Sequence, residues 1–115
     1  MGRMEINQYD IILVDLQLSE ELGGAGAEIR KARPCVVISP DEMNRYLRTL
    51  VVAPMTKRSR LMPTRVRVRH NKQTGWIVVD QIRTVDRSRV GRKLDRLTHP
   101  EIRKLKQVIR ETYVD

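Results

Sequence analysis

The chain has one cysteine, two histidines, no phenylalanine and no apolar run approaching the thickness of a bilayer. Each shortage closes off a class of protein. Cys35 alone cannot form an internal disulfide, and its place inside a valine run suits a small buried side chain rather than a nucleophile. His70 and His99 with that single cysteine cannot assemble a zinc site of recognisable spacing. Asp15, Glu28, Asp80 and Asp86 are scattered, unlike the clustered carboxylates of a two-metal nuclease, so neither metal nor cofactor is expected. Gly23-Gly24-Ala25-Gly26 lacks the Gly-Lys-Ser/Thr ending of a phosphate loop. No signal peptide is recognisable, which points to a cytoplasmic protein without membrane association. Aromatics are limited to Tyr9, Tyr46, Trp76 and Tyr113, so the core has to come from Val, Ile, Leu and Met. Base stacking is not expected as the main mode of binding; Trp76 could stack on a base, but within a strand it reads rather as a core or interface residue.

What the chain does have is positive charge, unevenly placed. The formal net charge is +9, yet residues 1–40 carry a net of −2 and residues 41–115 a net of +11. Seven basic residues and no acidic one fall between Lys57 and Lys72: Lys57, Arg58, Arg60, Arg65, Arg67, Arg69 and Lys72. Such a field suits a polyanion or an acidic protein segment, a solvated basic face being the bland alternative.

At 115 residues the chain is expected to form one domain. Strands are predicted over Tyr9 to Leu16, Pro34 to Ser39, Thr49 to Met55, Arg65 to Arg69, Gly75 to Gln81 and Arg92 to Leu97, with a short helical turn over Pro40 to Tyr46. Along Arg65-Val66-Arg67-Val68-Arg69 the period of two sends three arginines to one face and two valines to the core. Thr98-His99-Pro100-Glu101 has the spacing of a capping box, and Ile102, Leu105, Val108 and Ile109 then line one face of a closing amphipathic helix. The fold class is mainly β (α+β): a small barrel with a short helix and a C-terminal helix over the sheet.

Two strings place polar groups where chemistry is plausible. Arg33 precedes the run Pro34-Cys35-Val36-Val37-Ile38, and Thr56 ends Val51-Val52-Ala53-Pro54-Met55. A guanidinium and a hydroxyl held near each other by a sheet suit a phosphate. RNA brings its own nucleophile, the 2′-hydroxyl, so a metal-free enzyme need only align it, move protons and stabilise charge at phosphorus.

Glu28 five residues before Arg33-Pro34, the valine strand ending Ser39-Pro40, Val52-Ala53-Pro54-Met55-Thr56, and Asp80-Gln81 followed by Arg83-Thr84-Val85-Asp86 together resemble the MazF/PemK family of toxin endoribonucleases. The resemblance implies a barrel like Src-homology-3 domains, of the kind shared by CcdB, PemK and MazF. It also implies a cytoplasmic homodimer, neutralised by an acidic antitoxin protein. The dimer would cleave single-stranded RNA at short sequences without metal, leaving 2′,3′-cyclic phosphate and 5′-hydroxyl ends. Arg33 matches the family's catalytic arginine, which stabilises charge on the phosphate, and Thr56 the threonine that donates to it. Glu28 matches a loop glutamate considered as the base in some members, and equally suits pairing with Arg30 or Lys31. RNA binding falls to Lys57, Arg58, Arg60, Arg65, Arg67, Arg69 and His70. Where many members carry Gly-Ser-Glu-Gln before Arg-Pro, this chain has Gly26-Ala27-Glu28-Ile29, which alters the loop. The PemK branch uses an arginine two residues before the aspartate; here that position is Val78, so Asp80 is expected to anchor neighbouring backbone instead. His99 is expected to serve local structure. Two other functions stay open: a non-catalytic nucleic-acid-binding barrel, and a gyrase poison of the CcdB kind. The latter family's terminal Trp-Gly-Ile is missing from Thr112-Tyr113-Val114-Asp115.

Overall fold

Ile11 and Ile12 are neighbours in sequence and both are buried, which a strand allows only if apolar layers cover both of its faces. The computed structural model describes residues 4–16, 32–58 and 62–115, and within them this two-sided burial organises the molecule. Ile12, Val14, Cys35, Val37, Leu50, Val52 and Val85 form one core, and Ile11, Val36, Ala53, Met55, Val66, Val68, Ile77, Leu105 and Val108 belong to the other. Strand alternation divides each apolar run between them.

The elements are β1 (Asp10–Asp15), β2 (Ala32–Val37), α1 (Asp41–Tyr46), β3 (Thr49–Thr56), β4 (Arg65–His70), β5 (Gln73–Val78), β6 (Arg83–Asp86), β7 (Val90–Arg96) and α2 (His99–Ile109). The strands pair in the order β4-β5-β3-β2-β1-β7, with β6 also on β3, every pair antiparallel. The result is the mainly β half-barrel with a closing helix that the pattern predicts. The Gly23 to Gly26 loop, Glu28 and Arg60 lie outside the described residues.

Two expectations along the chain need correction. The run Gly75 to Gln81 is not one strand: β5 ends at Val78 and Val79–Gln81 forms a 3-10 turn. The cause is length, because only Ala53 and Pro54 separate the β5-paired from the β6-paired part of β3, while five residues separate Ile77 from Arg83. The surplus folds into the turn. There Val79 is buried, its N–H donates to Thr64 O at 2.9 Å, and its carbonyl accepts from the Tyr113 hydroxyl at 2.7 Å. Strand β6 is the other difference; its four residues carry one apolar side chain, Val85, too short a pattern for periodicity to register.

The predicted capping box is formed: Glu101 N–H donates to the Thr98 hydroxyl at 3.4 Å and Thr98 N–H donates to Glu101 Oε1 at 2.9 Å. Glu101 Oε2 also accepts from Arg69 N–H at 3.0 Å, tying the start of α2 to β4. Leu105 and Val108 are the side chains of α2 that reach the core, with Ile102 and Ile109 packed beside them. Near α1, the Ser39 hydroxyl donates to Asn44 Oδ1 at 2.5 Å and Asn44 Nδ2 donates to Ser39 O at 2.9 Å, so two buried polar residues satisfy each other.

The β4–β5 hairpin turns on two residues, Asn71 and Lys72, with φ of 53° and 62°. Both therefore occupy the left-handed region, as a type I′ turn requires, and asparagine tolerates it better than lysine. Replacing Lys72 by glycine is expected to stabilise the protein by about 1 kcal/mol, raising the melting midpoint by about 4 °C. Calorimetry on the pair tests this; an unchanged or lower midpoint would show that the turn carries no strain at Lys72.

Candidate active site

Strand β2 pairs with β3 through Cys35↔Pro54, Val36↔Ala53 and Val37↔Val52. Continued by two residues, this register brings Arg33 level with Thr56. Both side chains line a single cleft of about 200 Å³, shared with Arg58, Arg65, Val78 and Gln81. The apolar residues of β2 and β3 thus fix the positions of two polar groups at the ends of their runs. Arg33 sits inside β2 rather than ahead of it, and its exposed guanidinium makes no ion pair or hydrogen bond among the described residues.

Thr56 is half-buried, and its Oγ1 accepts from Arg58 N–H at 3.2 Å. With that oxygen occupied as an acceptor, the hydroxyl proton is left to be donated elsewhere. Thr56 also borders a second cleft of about 230 Å³ lined by Lys57, His70, Asn71 and Thr74. The hydroxyl therefore stands between two hollows. A further cleft, of about 260 Å³ against α1 and lined by Glu5, Asp41 and Arg45, contains none of the predicted site residues.

The basic segment divides into side chains with and without an acidic partner. Arg65 donates to Asp80 Oδ1 at 2.5 Å, and His70 Nδ1 lies 3.1 Å from Asp95 Oδ2. Lys57, Arg58, Arg67 and Arg69 form no ion pair among the described residues, and all four are exposed. Asp80 was expected to hold backbone; its main partners prove to be the side chains of Arg65 and Thr64. Partial burial works to raise its carboxyl, but hydrogen bonds from the Thr64 hydroxyl, its own backbone N–H and Arg65 outweigh that and hold it below the usual carboxylate range. Asp95 is likewise held low, by the Arg96 N–H and by His70. His99 is exposed at the first turn of α2 and belongs to neither cleft.

Cys35 lies one strand position beyond Arg33 on the same face and is fully buried. Burial pushes its thiol up to about 12, against the opposing pull of Arg83 and Arg33. It is a packing residue, as the valine run suggests. Among the described residues, no three His, Cys, Asp or Glu side chains are grouped so as to hold a metal ion. No helix among them is long and apolar enough to cross a membrane.

Sequence reasoning missed one member of this face and left the place of another open. Gln81 enters the Arg33 cleft because the 3-10 turn places it there, and nothing in its local sequence marks it. Trp76, expected in a core or an interface with base stacking as the alternative, belongs to neither core; it is half-buried and paired in register with Thr56. Its flanks explain why it is not a core residue, since Gly75 and Ile77 take the inward positions on β5.

The endoribonuclease MazF of Staphylococcus saprophyticus is 31% identical over 106 residues, which cover 87% of this chain and 84% of the relative. A chain of a MazE–MazF crystal structure from Deinococcus radiodurans superposes with a TM-score of 0.79 at 20% identity, covering 96% of each chain. An endoribonuclease in complex with its cognate antitoxin, from a mycobacterial species, gives 0.76 at 20% identity and 92% of each chain. These two likenesses establish the fold. Residues 7–113 match the family model itself, so the chain belongs to the PemK-like, MazF-like toxins of type II toxin–antitoxin systems.

Proposed function

We propose that this toxin is a sequence-selective endoribonuclease that cleaves single-stranded RNA without a metal ion. The observation that carries the reading is Arg33 and Thr56 on the wall of one cleft, in a chain that matches its family from end to end of the described sheet. In the proposed reaction the 2′-oxygen attacks the adjacent phosphorus as its proton leaves, the bond to the 5′-oxygen breaks, and that oxygen is protonated. The products are a 2′,3′-cyclic phosphate and a 5′-hydroxyl. Arg33 neutralises the charge that grows on the non-bridging oxygens, for which its planar fork of donors is suited, and Thr56 donates its free hydroxyl proton to the same phosphate. Arginine's very high pKa makes it a poor base, so proton removal falls to another group, for which Glu28 is the candidate.

Lys57, Arg58, Arg67 and Arg69 hold the RNA backbone on either side, with Arg65 and His70 contributing from their contacts with Asp80 and Asp95. The functional unit is a homodimer. The inhibitor is an antitoxin segment rich in Asp and Glu that covers the same cations, its affinity falling as salt rises.

Incubation with a long mixed RNA in excess chelator, followed by sequencing of 5′-hydroxyl ends, tests the reading. Ends clustered at one short motif and cyclic-phosphate termini are expected. RNA retained but intact at every protein concentration would leave a binding barrel, and intact RNA with inhibited gyrase would leave a gyrase poison.

A further inference from the structure

Directly paired residues on antiparallel strands share a face, with Cβ atoms about 5 Å apart. Trp76 is paired with Thr56 on one side and with Arg67 on the other. The three side chains therefore form one row across β3, β5 and β4. Continuing the β2–β3 register adds Arg33 at the far end of that row. On the rows above and below, β4 contributes Arg65 opposite Val78 and Arg69 opposite Thr74. The chain's one tryptophan thus stands in the middle of its arginine face, next to the hydroxyl proposed to hold the scissile phosphate.

Nothing about Trp76 has the character of a core residue. It belongs to neither apolar core, and its indole N–H has no hydrogen-bond partner among the described residues. An aromatic plane left partly open among cations suits a nucleobase, which brings a flat apolar face and a phosphate on either side.

We infer that Trp76 is the platform on which one base flanking the scissile phosphate stacks, an assignment that rests on the ribonuclease reading above. Every base has a π-face, so the platform adds affinity and sets the path of the strand, while the choice of sequence falls to other contacts. With a single platform, stacking supplements the phosphate contacts and does not replace them.

Because Trp76 is the only tryptophan, its fluorescence reports on this contact in the unmodified protein. The probe is an RNA oligonucleotide spanning a mapped cleavage site, with 2′-deoxyribose at the attacking nucleotide so that it binds without reacting. Quenching on binding is expected, and an abasic nucleotide on one side of the scissile phosphate should abolish the quenching and weaken binding about tenfold to a hundredfold. Trp76→Leu should raise KM by a similar factor with kcat changed little, and Trp76→Phe should recover most of the loss. Binding without quenching, or quenching indifferent to every abasic position, would overturn the assignment even if Trp76→Leu failed to fold. Cleavage that persists with an unchanged KM in a folded Trp76→Leu variant would overturn it while leaving the ribonuclease reading intact. Absence of any cleavage would remove both.

Discussion

Replacing Arg33 by alanine is expected to lower the rate of RNA cleavage by about two to three orders of magnitude, with the fold undisturbed. The size follows from removing one preorganised donor from a site where charge builds in the transition state. The stability half follows from the surroundings of Arg33, whose exposed guanidinium makes no ion pair or hydrogen bond among the described residues. Truncation should therefore move the unfolding free energy by less than about 0.5 kcal/mol. Arg33→Lys should recover only part of the rate, since it restores the charge without the two-pronged geometry. Thr56 provides an internal comparison: Thr56→Ser keeps the hydroxyl and should stay close to the parent, whereas Thr56→Val keeps the shape and should lose about a hundredfold. Single-turnover cleavage under saturating protein, read beside a melting curve for each variant, separates chemistry from folding. An Arg33→Ala protein within a few-fold of the parent rate would end the assignment of Arg33 and Thr56 as a paired phosphate clamp.

The largest loss of stability is expected from Leu105→Ala. Leu105 is fully buried where α2 meets the sheet, inside the core that includes Val36, Ala53, Val66, Val68 and Ile77. Removing its outer carbons forfeits their burial and leaves a cavity that rigid strands cannot collapse into, at a cost of about 3 kcal/mol. For a chain of this size that is roughly a 10 °C drop in melting midpoint. Urea titration should show a lower midpoint with an unchanged slope. A loss below about 1 kcal/mol would mean that α2 only rests against the sheet.

The parts of this molecule that could be read from sequence are those with a long or repeated pattern. Arg65 to Arg69 announces its two faces by alternation, and the closing helix announces itself by Thr98, Glu101 and the spacing of its apolar residues. Arg33 and Thr56 stood out because each ends a valine-rich run. The 3-10 turn at Val79 escaped because its cause is a mismatch between distant strands, invisible along one of them. Trp76 kept two readings for a related reason: a strand side chain faces inward or outward, and the choice was set by Gly75 and Ile77 together with the partners Thr56 and Arg67. Asn44, buried in a six-residue helix, has no local mark of its burial; only Ser39 and the start of β3 explain it.

The unpaired cations of the proposed RNA face also bear on how the free protein stands up to unfolding. Arg67 and Arg69 are two positions apart on one strand face, with Lys57 and Arg58 on the segment that follows Thr56, so the folded state gathers like charges that an unfolded chain would disperse. Their mutual repulsion opposes folding, and added salt should relieve it. A polyanion bound there relieves it more fully, and by mass action every increment of binding raises the stability of the chain it covers. An acidic inhibitor would thus protect the toxin as it silences it.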